Sequence, residues 1–320
     1  MDFLMFRTAS IGIALLVGII PGQAQESFEG MELEEAVDIA QVTAASRQAA
    51  EAGDAAAQHH LARCYFTGSG VPQSTSKGMY WLKKAAEQGY ADAQCHLAER
   101  YFTGQGAEQN PQEACSWWVK AAKQHNIEAM YRLGMAHLSG EGVKKSDILG
   151  IAWLERTAAA GHTEAQCSLG FCRLQGVGGT QNFAEAATLF NKAAEKGHAN
   201  ATFWLGFCKL HGIGVERNAQ EAIELLRRAA DGLSSSAAVQ LGRCYETGNG
   251  VEANADTAFD WYWQAARMEN KEACYRLGLM LLEGRGCKPN REKAAKWFKM
   301  AAEKNHVRAQ RKLDEMNQSK

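Results

Sequence analysis

Apolar positions recur along this chain at one fixed interval. Leu61, Leu97, Leu133, Leu169, Leu205, Leu241, Leu277 and Leu313 are each 36 residues apart, with no insertion or deletion. A small residue follows each of the first seven (Ala62, Ala98, Gly134, Gly170, Gly206, Gly242 and Gly278), and an alanine stands four before each, from Ala57 to Ala273. A period in the range of about 20–50 residues marks stacked structural repeats. Seven units fit, over 55–90, 91–126, 127–162, 163–198, 199–234, 235–270 and 271–306.

Within each unit the pattern predicts two helices. A glycine pair such as Gly68 and Gly70, or Gly248 and Gly250, ends the first one with positive φ. Six residues after the first glycine stands a good N-cap: Ser74, Asn110, Ser146, Asn182, Asn218, Asn254 or Asn290. Pro111 follows Asn110 at a position where a missing N–H costs nothing, and Glu113, Glu185 and Glu221 stand three after their caps, as in a capping box. The second helix then repeats small, aromatic, small, as in Ala114, Trp117, Ala121. Trp81, Trp117, Trp153, Trp261 and Trp297 share one phase, with Leu189 and Leu225 in units four and five, and are expected to be structural. One unit cannot bury such a stripe alone, so neighbours must stack.

Composition narrows the class. Four prolines and abundant alanine favour helix over strand, and 46% hydrophobic residues can build a core. With 35 basic and 36 acidic residues, no global field draws the chain to nucleic acid or anionic lipid. Arg7, the apolar run 11–20, Pro21 and the small residues Gly22 and Ala24 read as a signal peptide over 1–24, cleaved after Ala24. Ten apolar residues are too few for a stable membrane span, which needs about 20. The expected place is the periplasm, the extracellular space or a secretory lumen. Residues 25–54 are expected to carry a capping half repeat, and 307–320 a closing helix and tail.

A unit such as Ala237-Ala238-Val239-Gln240-Leu241-Gly242-Arg243-Cys244-Tyr245-Glu246-Thr247-Gly248-Asn249-Gly250-Val251, followed by Ala258, Trp261, Ala265 and Ala266, resembles the Sel1-like repeat, a relative of the tetratricopeptide repeat. Thr157, Gly179, Cys287 and His125 are small departures. The resemblance implies an all-α fold, a right-handed α-solenoid of antiparallel helix pairs with first helices lining the inner face. It also implies a role as adaptor or scaffold. A cysteine-rich branch of this family has paired cysteines about eight apart in each unit, and members are described as binding or hydrolysing β-lactams. The nine cysteines here lack that pairing, so a cell-wall-related or β-lactam-hydrolysing enzyme is the alternative reading and no catalysis is the preferred one. Cys172, Cys208 and Cys244, in one phase, are expected about 9–10 Å apart, beyond the roughly 7 Å a disulfide bridges.

No cofactor is expected: the chain has no phosphate loop, dinucleotide fingerprint or nucleophile–base motif. Adjacent His59 and His60 cannot form a helical i, i+4 metal pair, although His60 and His96 are in equivalent positions of neighbouring units.

If Ala57, Leu61 and Tyr65 face the core, positions 56, 60, 63 and 67 and their equivalents form the inner stripe. That stripe is polar at the ends and turns apolar and aromatic at its centre. The candidate partner-binding residues are Met135, Phe171, Trp204 and Phe207, flanked by Glu99, Arg132, Arg243 and His211. The expected partner is a protein or peptide, with a cell-envelope component as one candidate. Trp204→Ala and Phe207→Ala are expected to spare the fold. The competing expectation is that a tight superhelix buries this face against itself.

Overall fold

The computed structural model describes residues 46–318, so the signal-peptide reading and most of the N-terminal half repeat lie outside the described residues. The described chain is a row of helix pairs. First helices span Ala55–Thr67, Ala91–Thr103, Ile127–Ser139, Thr163–Gln175, Ala199–His211, Ser235–Thr247 and Lys271–Glu283. Second helices span Thr75–Glu87, Pro111–Lys123, Asp147–Ala159, Phe183–Glu195, Ala219–Asp231, Ala255–Arg267 and Arg291–Glu303. Val307–Gln318 closes the row, residues 46–51 are helical ahead of it, and the described residues contain no strand. Each second helix packs between its own partner and the first helix that follows, which makes an α-solenoid.

The turns follow from local chemistry. Gly68, Gly104, Gly140, Gly176, Gly212, Gly248 and Gly284 end the first helices in the left-handed conformation. The second glycine of each pair allows a close approach: a Cβ on Gly142 would collide with the Pro111 carbonyl at the start of the preceding unit's second helix. Every expected Ser or Asn cap accepts a backbone N–H at the start of its second helix. The capping-box expectation needs a correction. The backbone N–H of each cap is already donated to a carbonyl nine residues back, as from Asn182 to Arg173 at 2.9 Å. The Glu185 and Glu221 carboxylates therefore accept from the Asn182 and Asn218 side-chain amides, and that of Glu113 from the Trp117 indole.

The most deeply buried large residues lie one position after the tryptophan phase. Leu82, Trp118, Leu154, Phe190, Leu226, Tyr262 and Phe298 are all 2% exposed or less. Where that residue is Phe or Tyr, the small residue facing it is glycine: a Cβ on Gly242 would stand 2.6 Å from the Tyr262 ring. Trp81, Trp117, Trp153, Trp261 and Trp297 are half-buried. They act at seams, as Trp117 does by packing against the cores of units one to two and units two to three. One step along a helix rotates about 100°, enough to exchange a core position for a seam position.

Three glycine equivalents besides His125 hold no glycine. His125, Leu233, Glu269 and Asn305 all take φ between 58° and 63°, where Gly53, Gly89, Gly161 and Gly197 stand in other units. Sequence reading found only His125 among them.

Candidate functional site

The first helices touch one another from unit to unit through their side chains, and the filling changes along the row. Between units one and two, His59 Nε2 lies 2.6 Å from His96 Nδ1. The sequence register paired His60 with His96; the structure replaces it with the buried His59, one residue earlier. The same 37-residue offset brings Tyr131 to Ser168 at 3.4 Å. Burial, with His96 beside it, pushes the His59 pKa down to about 4.

The next junctions carry charge. Arg132 donates to Glu128 at 2.7 Å and pairs with Glu99 at 3.2 Å. Glu128 also faces His162 Nε2 at 3.0 Å. His162 Nδ1 accepts the Ala165 backbone N–H at 3.1 Å, so the imidazole caps the first helix of unit four and donates through Nε2 to the first helix of unit three. The hydrogen bond from His162, with Arg132 nearby, holds the Glu128 carboxyl below its ordinary range. The arrangement returns 144 residues later: Glu272 accepts from Arg276 at 2.7 Å and faces His306 Nε2 at 3.0 Å, and His306 caps at Ala309. Tyr131 lies against His162 and Tyr275 against His306, with centroids 4.8 and 4.6 Å apart. Nothing in the sequence reading singled out these histidine caps; their only signal is His at the phase of Asp54, Asn126 and Asn270.

Between the polar junctions lies an aromatic one. Phe171 of unit four meets Trp204 of unit five, with centroids 5.3 Å apart. Trp204 also touches Phe203 at 5.1 Å and Phe207 at 5.8 Å, and Phe207 reaches His211 at 4.5 Å. Beneath them the buried Phe190 ring is stacked on Trp204 at 6.1 Å. The structure thus brings together Phe171, Trp204, Phe207 and His211 of the candidate set and adds Phe203. Met135 packs instead on the core around Leu138 and Leu169, one junction away. Glu99 and Arg132 belong to the charged ladder, and Arg243 lies exposed one unit beyond Phe207. Phe171, Phe203, Trp204 and Phe207 are each half-buried, so the face is neither closed on itself nor fully open.

All nine cysteines are unpaired thiols, eight of them buried. Burial pushes Cys115, Cys172, Cys208 and Cys244 up to about 11 and Cys167 up to about 12, so these sulfurs are protonated at neutral pH and are poor nucleophiles. Among the described residues no group of three or more His, Cys, Asp or Glu is placed to hold a metal ion, and no helix is long and apolar enough to cross a membrane.

The sequence profile of the Sel1 repeat matches residues 55–90, 91–126, 127–162, 163–198, 199–232, 235–270 and 271–306. A protective antigen of uropathogenic Escherichia coli strains, displaying an SLR fold, is 31% identical with a TM-score of 0.73 over 85% of this chain; the match spans only 58% of that longer protein. A Sel1 repeat protein from Oxalobacter formigenes is 26% identical with a TM-score of 0.71, covering 76% of this chain and 96% of that one. Yeast Tom70, 13% identical with a TM-score of 0.50 over 92% of this chain and 61% of its own, shares the fold alone. No curated protein matches the sequence.

Proposed function

The chain belongs to the Sel1 repeat family, a scaffold fold that usually serves protein–protein interaction, and from that premise we propose an exported scaffold that binds a protein or peptide on its concave first-helix face without catalysis. The carrying observation is the cluster of Phe171, Phe203, Trp204 and Phe207. Its rings meet mainly one another and stay half-buried on a face whose other junctions satisfy themselves with hydrogen bonds. Aromatic side chains bury about 150–250 Å² each and dominate interface energetics. Family membership gives the class of activity, and only the site can give the partner.

Eight of the nine thiols are buried, and burial keeps those at Cys115, Cys167, Cys172, Cys208 and Cys244 protonated and poor nucleophiles, which favours a binding role over cysteine-based catalysis. Export rests on the sequence of residues 1–24 and agrees with the nature of the E. coli relative, a protective antigen. A photocrosslinking residue in place of Phe207 should form a defined adduct in native cells, whereas one replacing the exposed Trp263 on a second helix should not. An adduct from position 263 alone would move the site off this face. The mass of the mature chain should correspond to a start at Gln25; a retained residue 1–24 segment would remove the export part of the proposal.

A further inference from the structure

The aromatic cluster has unequal ends. Toward the N-terminus, Arg132 is neutralised by Glu99 and Glu128. Toward the C-terminus stands Arg243, at the phase of Phe207 and one unit on, exposed and making no side-chain hydrogen bond or ion pair among the described residues. The nearby carboxylate on its own helix, Glu246, is taken by Arg285 at 2.6 Å, Tyr262 at 2.7 Å and Arg276 at 3.5 Å. Arg217, another cation near this end, donates to the Leu210 carbonyl and the Asn249 side chain and makes no ion pair among the described residues. Burial first, and then Arg243 and Arg217 beside it, lower the pKa of His211.

Resting on the reading that this cluster holds a peptide, we propose that the bound segment is acidic: an extended stretch that seats an apolar side chain on Trp204 and Phe207 and sets a carboxylate on Arg243. The spacing follows from geometry. Packed helices lie about 8–10 Å apart, and an extended chain advances about 3.3 Å per residue, so the carboxylate stands about three residues from the anchor. A guanidinium free of internal partners offers a carboxylate two parallel N–H donors without breaking an existing pair.

The test uses the full-length protein and synthetic twelve-residue peptides with one fixed central Phe, in which Glu, Gln or Lys is placed at each position one to five residues away on either side. Wild type should bind peptides with Glu at about two to four residues from Phe at least about tenfold more tightly than their Gln twins. Arg243→Glu, an exposed change whose folding is checked by its melting curve, should transfer that preference to Lys. Equal binding of Glu and Gln peptides, or an unchanged preference in Arg243→Glu, overturns the acidic assignment. In that case weakened binding by Phe207→Ala shows that the peptide face itself survives. If wild type binds none of the peptides, or Phe207→Ala binds as wild type does, the assignment and the reading beneath it both fail.

Discussion

The junction between units three and four and that between units four and five lie on the same first-helix face and are filled with opposite chemistry. In the first, Glu128 pairs with Arg132 on its own helix and accepts from His162 at the head of the next, with Tyr131 against that imidazole. In the second, Phe171 meets Trp204, which takes the phase of Arg132, and Phe207 extends the ring cluster over the core beneath. The frame beneath is the same in both: a fully buried Leu154 or Phe190 against Gly134 or Gly170. The frame therefore fixes where a side chain stands, and its neighbours along the first-helix face decide whether it is internally satisfied or available. A charged junction that recurs at Glu272, Arg276 and His306 is a way of stitching units together. An aromatic junction of half-exposed rings leaves apolar surface to cover.

The largest expected effect tests the frame. Phe190→Ala removes a fully buried ring from under Trp204 and should cost about 3–5 kcal/mol of stability, seen as a large fall in the denaturation midpoint. A smaller loss would mean that the aromatic junction does not depend on the core beneath it. Trp204→Ala should come next, and the structure changes what is expected of it. Because its indole lies against Phe190, this substitution should lower both the melting temperature and peptide binding, and a pure binding defect would place Trp204 wholly on the surface.

Acid should act on the polar junctions. The folded state holds the His59 pKa at about 4, so His59 contributes stability that is complete above its ordinary value of about 6.5 and is lost as pH falls from there. Glu128, whose folded pKa is depressed chiefly by His162, and Glu272, which Arg276 and His306 hold down against burial, contribute above the ordinary carboxylate range and lose that contribution as pH falls through it. Melting temperature should thus fall in two stages on acidification, and His59→Gln should reduce the first, to which His198 and His211, also held below the ordinary value, contribute as well. A wild-type profile that is flat from pH 6.5 to 4 would contradict the placement of His59. The smallest effect is expected from Arg132→Ala. Its side chain is 42% exposed, so losing the pairs with Glu99 and Glu128 should cost no more than about 1 kcal/mol and leave peptide binding unchanged. A binding loss as great as that of an aromatic substitution would erase the distinction between the two junctions.

Much of the frame was legible because the 36-residue period tolerates no slip and because glycine and Asn or Ser caps have fixed backbone roles. The gathering of Phe171, Trp204 and Phe207 followed from the same periodicity. Other features carried no such signal. His162, His198 and His306 cap helices with ring nitrogens at a place where Asp, Asn or Ser is the usual marker. The buried series ending in Tyr262 and Phe298 varies among Leu, Trp, Phe and Tyr and was masked by the more uniform tryptophan phase beside it. The His59–His96 contact spans 37 residues because stacked helices do not meet in strict register, and a period of 36 points at the wrong histidine. Leu233, Glu269 and Asn305 take a glycine-like conformation that their identities do not announce.

The most direct test of the aromatic face is Phe207→Ala, since Phe207 touches Phe203, Trp204 and His211 and makes no ring contact with the buried Phe190. Affinity for the peptides that wild type binds should be measured beside the melting temperature of the same samples. The expected result is binding weakened by about thirtyfold or more with the melting temperature within about 2 °C of wild type. Unchanged affinity, or a melting temperature lowered as far as that of Phe190→Ala, would contradict the assignment of this face to a partner.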